Sequence, residues 1–148
     1  MAKFVFRLQG ILNLKARLED QQRNVFAQAR KTLNDEEAKL ANLYERLEFY
    51  ESEGRSMRER VLLLQDIKDN QNAISTVKEY IVEQKENVRL AEERLEEERI
   101  KLVELMKEHK TYERLREKAF DEYLESEKHT EGVVNDEHNS FVYGTKTS

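Results

Sequence analysis

Apolar residues recur along this chain at alternating spacings of three and four. In the first half the row runs through Leu8, Ile11, Leu18, Val25 and Ala29. It resumes one residue out of phase at Leu33, Leu40, Leu43, Leu47, Tyr50, Met57, Val61 and Leu64. In the second half it runs through Ile74, Val77, Ile81, Val88, Ala91, Leu95, Leu102, Leu105, His109, Tyr112, Ala119 and Tyr123. Such spacing, sustained over many heptads, keeps one narrow stripe of each helix facing a partner helix, which is the pattern of a coiled coil. The one-residue slip near residue 30 predicts a locally unwound supercoil. Lys15, Gln22, Glu36, Gln84 and Glu98 fall on or near the stripe, where polar side chains weaken the coil but fix its register.

The chain has to turn once. Gly54 is one candidate, but the heptad row runs across it, and one helical Gly costs only about 1 kcal/mol. The stretch IKDNQNAIST is the better candidate. Asp69, Asn70 and Asn72 favour turns, and Thr76 with Glu79 forms a capping box for a new helix. The spacing thus predicts an all-α fold: two long helices, about 4–67 and about 75–131, in an antiparallel coiled-coil hairpin with a turn at about 68–74. Residue i then faces about 141 − i, setting Leu47 near Leu95 and Val25 near Tyr112 to Arg116. Lys128 and His129 followed by Gly132 form the expected helix stop, leaving 132–148 as a partly disordered tail of one single coiled-coil domain. A parallel homodimer of extended helices is the alternative architecture.

Composition strengthens this picture. Charged residues make up 39% of the 148-residue chain and Pro is absent, so nothing interrupts a helical hydrogen-bond ladder. The net charge of −5 argues against a general affinity for nucleic acid. The charge is also uneven. Residues 1–31 hold seven basic side chains against Glu19 and Asp20, and residues 121–148 hold seven acids against Lys128 and Lys146. In the hairpin these complementary ends are expected side by side. Without Cys there is no disulfide framework and no thiolate metal site. Arg7 and Gln9 interrupt the apolar opening, which therefore does not read as a signal peptide. With no run of 18 apolar residues, no transmembrane helix is expected. The expected location is cytoplasmic, peripheral to the cell membrane only through partners.

The motifs of chemistry are missing. There is no phosphate-binding glycine loop, no G-x-S-x-G, no H-E-x-x-H and no thiol. His109 falls on the stripe, and His138 beside Asp136 and Glu137 reads as part of a charged tail. No enzyme activity, cofactor or metal is expected, and what remains is recognition by surfaces. Two apolar clusters stand out, one at each end of the hairpin: Phe4, Phe6 and Leu8, and Ile67, Ile74, Val77 and Ile81. Each either closes a helix end or docks a partner.

The opening MAKFVFRLQGILNLK resembles the start of the flagellar export protein FliJ family: two phenylalanines one residue apart, then Arg-Leu-Gln, an apolar pair and a basic residue. Asn135-Asp136-Glu137 with Phe141 is similar to the family's terminal Asp-Glu followed by an apolar residue, although this chain ends in GTKTS where the family more often ends basic. The resemblance implies a small component of the bacterial flagellar type III export apparatus, built as a coiled coil similar to the central stalk of rotary ATPases. It implies insertion into the hexameric export ATPase, promotion of its assembly and activity, linkage to the export gate protein and escort of export chaperones. On this view Phe4, Phe6, Arg7, Leu8, Ile11 and Lys15 meet the ATPase ring, and Ile67, Ile74, Val77 and Ile81 face the gate. The protein alone is expected to be a monomer or weak homo-oligomer. The alternative is a generic structural or adaptor coiled coil with no role in export.

Overall fold

The computed structural model describes residues 3–60 and 63–146, with the backbone alone over 139–146. It is all-α. Helix α1 spans Gln9–Arg58 and helix α2 spans Leu64–Lys146, and together they form an antiparallel coiled-coil hairpin. The fold class agrees with the periodicity, whereas the turn, the register and the phase do not.

The chain reverses between Arg58 and Leu64, not at 68–74. The end of α1 tightens through bonds from the Glu59 and Arg60 amides to the Ser56 and Met57 carbonyls. Arg55 and Arg58 in its last turn oppose the negative end of the helix dipole. Asp69, Asn70 and Asn72 are helical, because a tertiary contact outweighs their turn preference. The Asn70 side chain is buried, and its amide donates 3.0 Å to the Tyr50 carbonyl. Gly54 makes room for this contact, since a Cβ there would lie 2.5 Å from Asn70 Oδ1. Gly54 has an ordinary helical backbone, so it serves close approach and not a bend.

This contact yields a prediction. Gly54→Ala gains about 1 kcal/mol of helix propensity but displaces Asn70, losing a bond of about 1 kcal/mol. Urea unfolding should therefore show little or no gain in the parent. In an Asn70→Ala background the same change should stabilise by about 1 kcal/mol. Equal gains in both backgrounds would rule out the proposed contact.

The chain divides into two compact units, Gln21–Val103, and Met1–Asp20 with Glu104–Ser148. In the first, Gln22 meets Glu98, Glu36 meets Gln84 and Tyr50 meets Asn70, so residue i faces about 120 − i. In the second, Lys15 meets Glu108, Gln9 meets Arg116 and Phe4 meets Phe120, close to 124 − i. The expected 141 − i is replaced because the turn comes earlier. Leu47 and Leu95 are not opposed, nor are Val25 and Tyr112.

The predicted slip near residue 30 is absent. Covered positions on α1 run Leu12, Lys15, Glu19, Gln22, Phe26, Ala29, Leu33 and Glu36 in unbroken three-four alternation. Ile11 and Val25 are exposed. Following only apolar residues produced an apparent slip because three consecutive seam positions, Lys15, Glu19 and Gln22, are polar. On α2 the row from Ile67 through Asn70, Ile74, Val77, Ile81 and Gln84 is likewise unbroken to Tyr112, and after exposed Arg116 it resumes at Ala119 and Tyr123. Val61 lies outside the described residues.

Two polar clasps punctuate the seam of the first unit. The two amide hydrogens of Gln22 Nε2 go to the Glu98 carbonyl at 3.0 Å and to its carboxylate at 2.6 Å. Gln84 Nε2 binds Glu36 in the same way, carbonyl and carboxylate together. Gln22 and Gln84 stand 62 positions apart, as do Glu36 and Glu98, so a local two-fold relates the clasps. Its centre falls at Ala29 and Ala91, both buried and set opposite each other by the same register. No buried side-chain nitrogen or oxygen among the described residues lacks a hydrogen-bond partner.

In the second unit α2 continues past the start of α1. It runs through Gly132 to Lys146 instead of stopping near residue 131. No glycine among the described residues has the left-handed backbone that a glycine helix stop uses. Residues 128–138 are exposed on every side. The acidic end therefore lies beside the basic start only in its first turn, where Tyr123 meets Phe4, and its residues 128–138 run beyond it.

Candidate partner-binding site

At the open end of the hairpin, residues 3–6 lie outside α1, and their burial alternates. Phe4, Phe6 and Leu8 are half-buried. Lys3, Val5 and Arg7 face outward, with Val5 80% exposed. Two-residue alternation is what an extended segment produces. It carries Phe4 onto Phe120, edge to face at 5.1 Å, and within 5.4 Å of Tyr123. The Arg116 guanidinium lies 5.4 Å from the Phe4 ring and donates 2.9 Å to Gln9 Oε1. Such aromatic and cation–π contacts hold the segment down.

The six residues assigned to this end from sequence therefore divide. Phe4, Phe6 and Leu8 point inward, Arg7 and Ile11 outward, and Lys15 is partly covered and bonded to Glu108 at 3.1 Å. Leu14 is also exposed and was missed along with Val5. The signal for Leu14 was available: once Leu8 and Leu12 define the seam, Leu14 falls off it, as Ile11 does. Further along, His109 has both ring nitrogens against carboxylates, Nδ1 to Glu19 at 2.6 Å and Nε2 to Glu113 at 2.9 Å. It belongs to the packing.

At the turn, Ile67 and Ile74 are half-buried, while Val77 and Ile81 are buried in the seam. The last two are therefore not available as a docking surface. The exposed apolar residues here are Leu63 and Leu64, at 75% and 66%. The leucine run of the sequence was the available signal.

The grooves beside the seam are open. The largest described, about 340 Å³, is lined by Val25, Gln28, Ala29, Thr32, Ala91 and Arg94, without a His or a carboxylate to act as a base beside the Thr32 hydroxyl. Among the described residues no cluster of three or more His, Asp or Glu could hold a metal. None of the described helices is long and apolar enough to cross a membrane.

The fold is an antiparallel two-helix coiled coil with exposed apolar residues along its length, Phe49 and Val82 among them, as well as at Val5 and at Leu63 and Leu64. The Flagellar FliJ protein family model matches residues 4–148, nearly the whole chain, and the chain belongs to that family. Membership places it among non-catalytic coiled-coil components of flagellar and type III export. The fold is also that of CT670, described as a YscO homolog, from Chlamydia trachomatis. The two are 22% identical over 98% of each chain, with a TM-score of 0.73. No curated protein matches the chain.

Proposed function

We propose that the chain is the stalk of a flagellar export ATPase. It inserts its open end into the hexameric ring, promotes ring assembly and activity, links the ring to the export gate and escorts export chaperones. It works at the cytoplasmic face of the membrane, which it meets only through these partners. The observation that carries this reading is the family match along the whole hairpin, together with an open end where Val5, Arg7, Ile11 and Leu14 face outward. These four make the ring contacts. Phe4, Phe6 and Leu8 shape the end from inside, and Lys15 holds α1 to α2. At the other end Leu63 and Leu64, with Ile67 and Ile74, meet the gate, and Val77 and Ile81 support them from the seam.

The test is ATP hydrolysis by the cognate export ATPase with and without the full chain. Stimulation is expected at micromolar concentration, and Ile11→Asp with Leu14→Asp should reduce it about tenfold, the loss of roughly 1.4 kcal/mol of binding. Circular dichroism should stay unchanged, because both residues are exposed. Absence of binding and stimulation by the parent would sink the reading. Full stimulation by the double variant would move the contact elsewhere.

A further inference from the structure

Lys107, Lys110, Arg114 and Lys118 follow one another on α2 at spacings of three or four, and the same row continues as Asp121 and Glu125. All six are exposed. The half-buried seam residues Leu105, His109, Tyr112, Ala119 and Tyr123 keep the same rhythm on the opposite side, so the charged row is the outer face of the helix.

Some outward charges elsewhere on α2 neutralise each other locally. Arg89 bonds Glu86 at 2.7 Å, and Arg99 bonds Glu96 at 2.7 Å. The row is different. Lys107 reaches Glu104 at 3.9 Å, but Lys110, Arg114, Lys118, Asp121 and Glu125 make no ion pair among the described residues. Their signs are segregated, basic first and acidic after.

A row that is basic on one side of a point and acidic on the other is complementary to its own reverse. We infer that this outer face of α2 is a contact for a second copy of the chain, the two α2 helices antiparallel about a two-fold axis between Lys118 and Asp121. In that arrangement Lys118 faces the second copy's Asp121, and Arg114 faces the second copy's Glu125. The two-fold repeats both contacts, giving four ion pairs. Parallel alignment sets like charges opposite each other and is disfavoured. Exposed ion pairs are individually weak and screened by salt, so the dimer is weak and salt-sensitive. The contact leaves the seam untouched and does not depend on the ATPase.

Sedimentation of the full chain tests it through charge reversal. The parent should self-associate at ~100 µM in ~20 mM salt, and ~0.5 M salt should weaken association about tenfold or more. The acidic variant Arg114→Glu, Lys118→Asp and the basic variant Asp121→Lys, Glu125→Arg should each be monomeric alone. Mixed in equal amounts they should form a heterodimer, because each reversed charge again meets its opposite. Circular dichroism checks that both fold. Should either fail, Lys118→Gln with Asp121→Asn, which only removes charge, should weaken association in its place. A parent that stays monomeric at low salt, variants that associate as the parent does, or a mixture no more associated than its components would each overturn the inference.

Discussion

Gln22→Glu combined with Gln84→Glu should lower the melting temperature at pH 7 by roughly 10 °C or more, since each kcal/mol lost shifts a chain of this size by ~2–4 °C. Each change replaces a donor with a carboxylate facing the carboxylate of Glu98 or Glu36 across a tight seam. Glu98 is 2% exposed, so water does little to separate the charges. Arg94 at 2.9 Å and Lys101 at 3.3 Å neutralise Glu98 itself but cannot serve a second carboxylate equally. The carbonyls of residues 36 and 98 also lose the amide that bonded them. Adding Glu98→Gln and Glu36→Gln restores a carboxamide–carboxylate pair at each crossing with its direction reversed, and should recover most of the loss. Scanning calorimetry of the double and quadruple variants measures both steps. A double variant as stable as the parent would show that the clasps do not hold the seam.

Acid should destabilise the parent, and the same clasps supply most of the reason. Gln84's hydrogen bond holds the Glu36 carboxyl below its usual range against the opposing effect of desolvation, with Lys39 assisting. Gln22 does the same for Glu98, helped by Lys101 and Arg94. Glu86 and Glu96 are lowered by bonds from Arg89 and Arg99, but these pairs are exposed and water screens them, so they add little. A lowered native pKa means that the folded chain binds fewer protons than the unfolded chain in the acid range, so stability rises with pH there. The stabilisation is complete above the unfolded carboxylate value of about 4.3. It is lost as pH falls through the native values. The melting temperature should therefore be level from pH 7 to 5 and fall below pH ~4.3. The Gln22→Glu, Gln84→Glu variant should respond less steeply or in the opposite sense, because protonating one carboxyl of each like-charged pair relieves repulsion and restores a donor. Parallel pH profiles for the two proteins would contradict this.

The parts of the fold that could be read from residue order were those set by helical periodicity. Three-four spacing, the lack of proline and the alternation of charge call for long helices paired along a stripe, with no tertiary information needed. The unbroken heptad was legible too, but only to a pattern that admits polar residues. Lys15, Glu19 and Gln22 occupy seam positions because each has a partner across the helix pair, and no hydropathy value registers a partner. The same holds for the turn. Asn70 has the local preference of a turn residue, and Gly54 that of a helix breaker. Placed together they make a close helix–helix contact that is visible only once the register is known.

The functional ends divide in the same way. The opening residues were enough to suggest the family, and the family match bears that out. They could not say which side chains face outward. Phe4 looks like an exposed anchor until Phe120 and Tyr123, more than a hundred positions later, are brought beside it, while Val5 and Leu14 become the free surface. Local order along the chain determines helix, pairing stripe and family, because those depend on the spacing of neighbours. Register, the place of reversal and the direction each end residue faces came from the folded pair. They depend on contacts between residues distant in sequence, where one buried amide on one carbonyl outweighs the preferences of the residues around it.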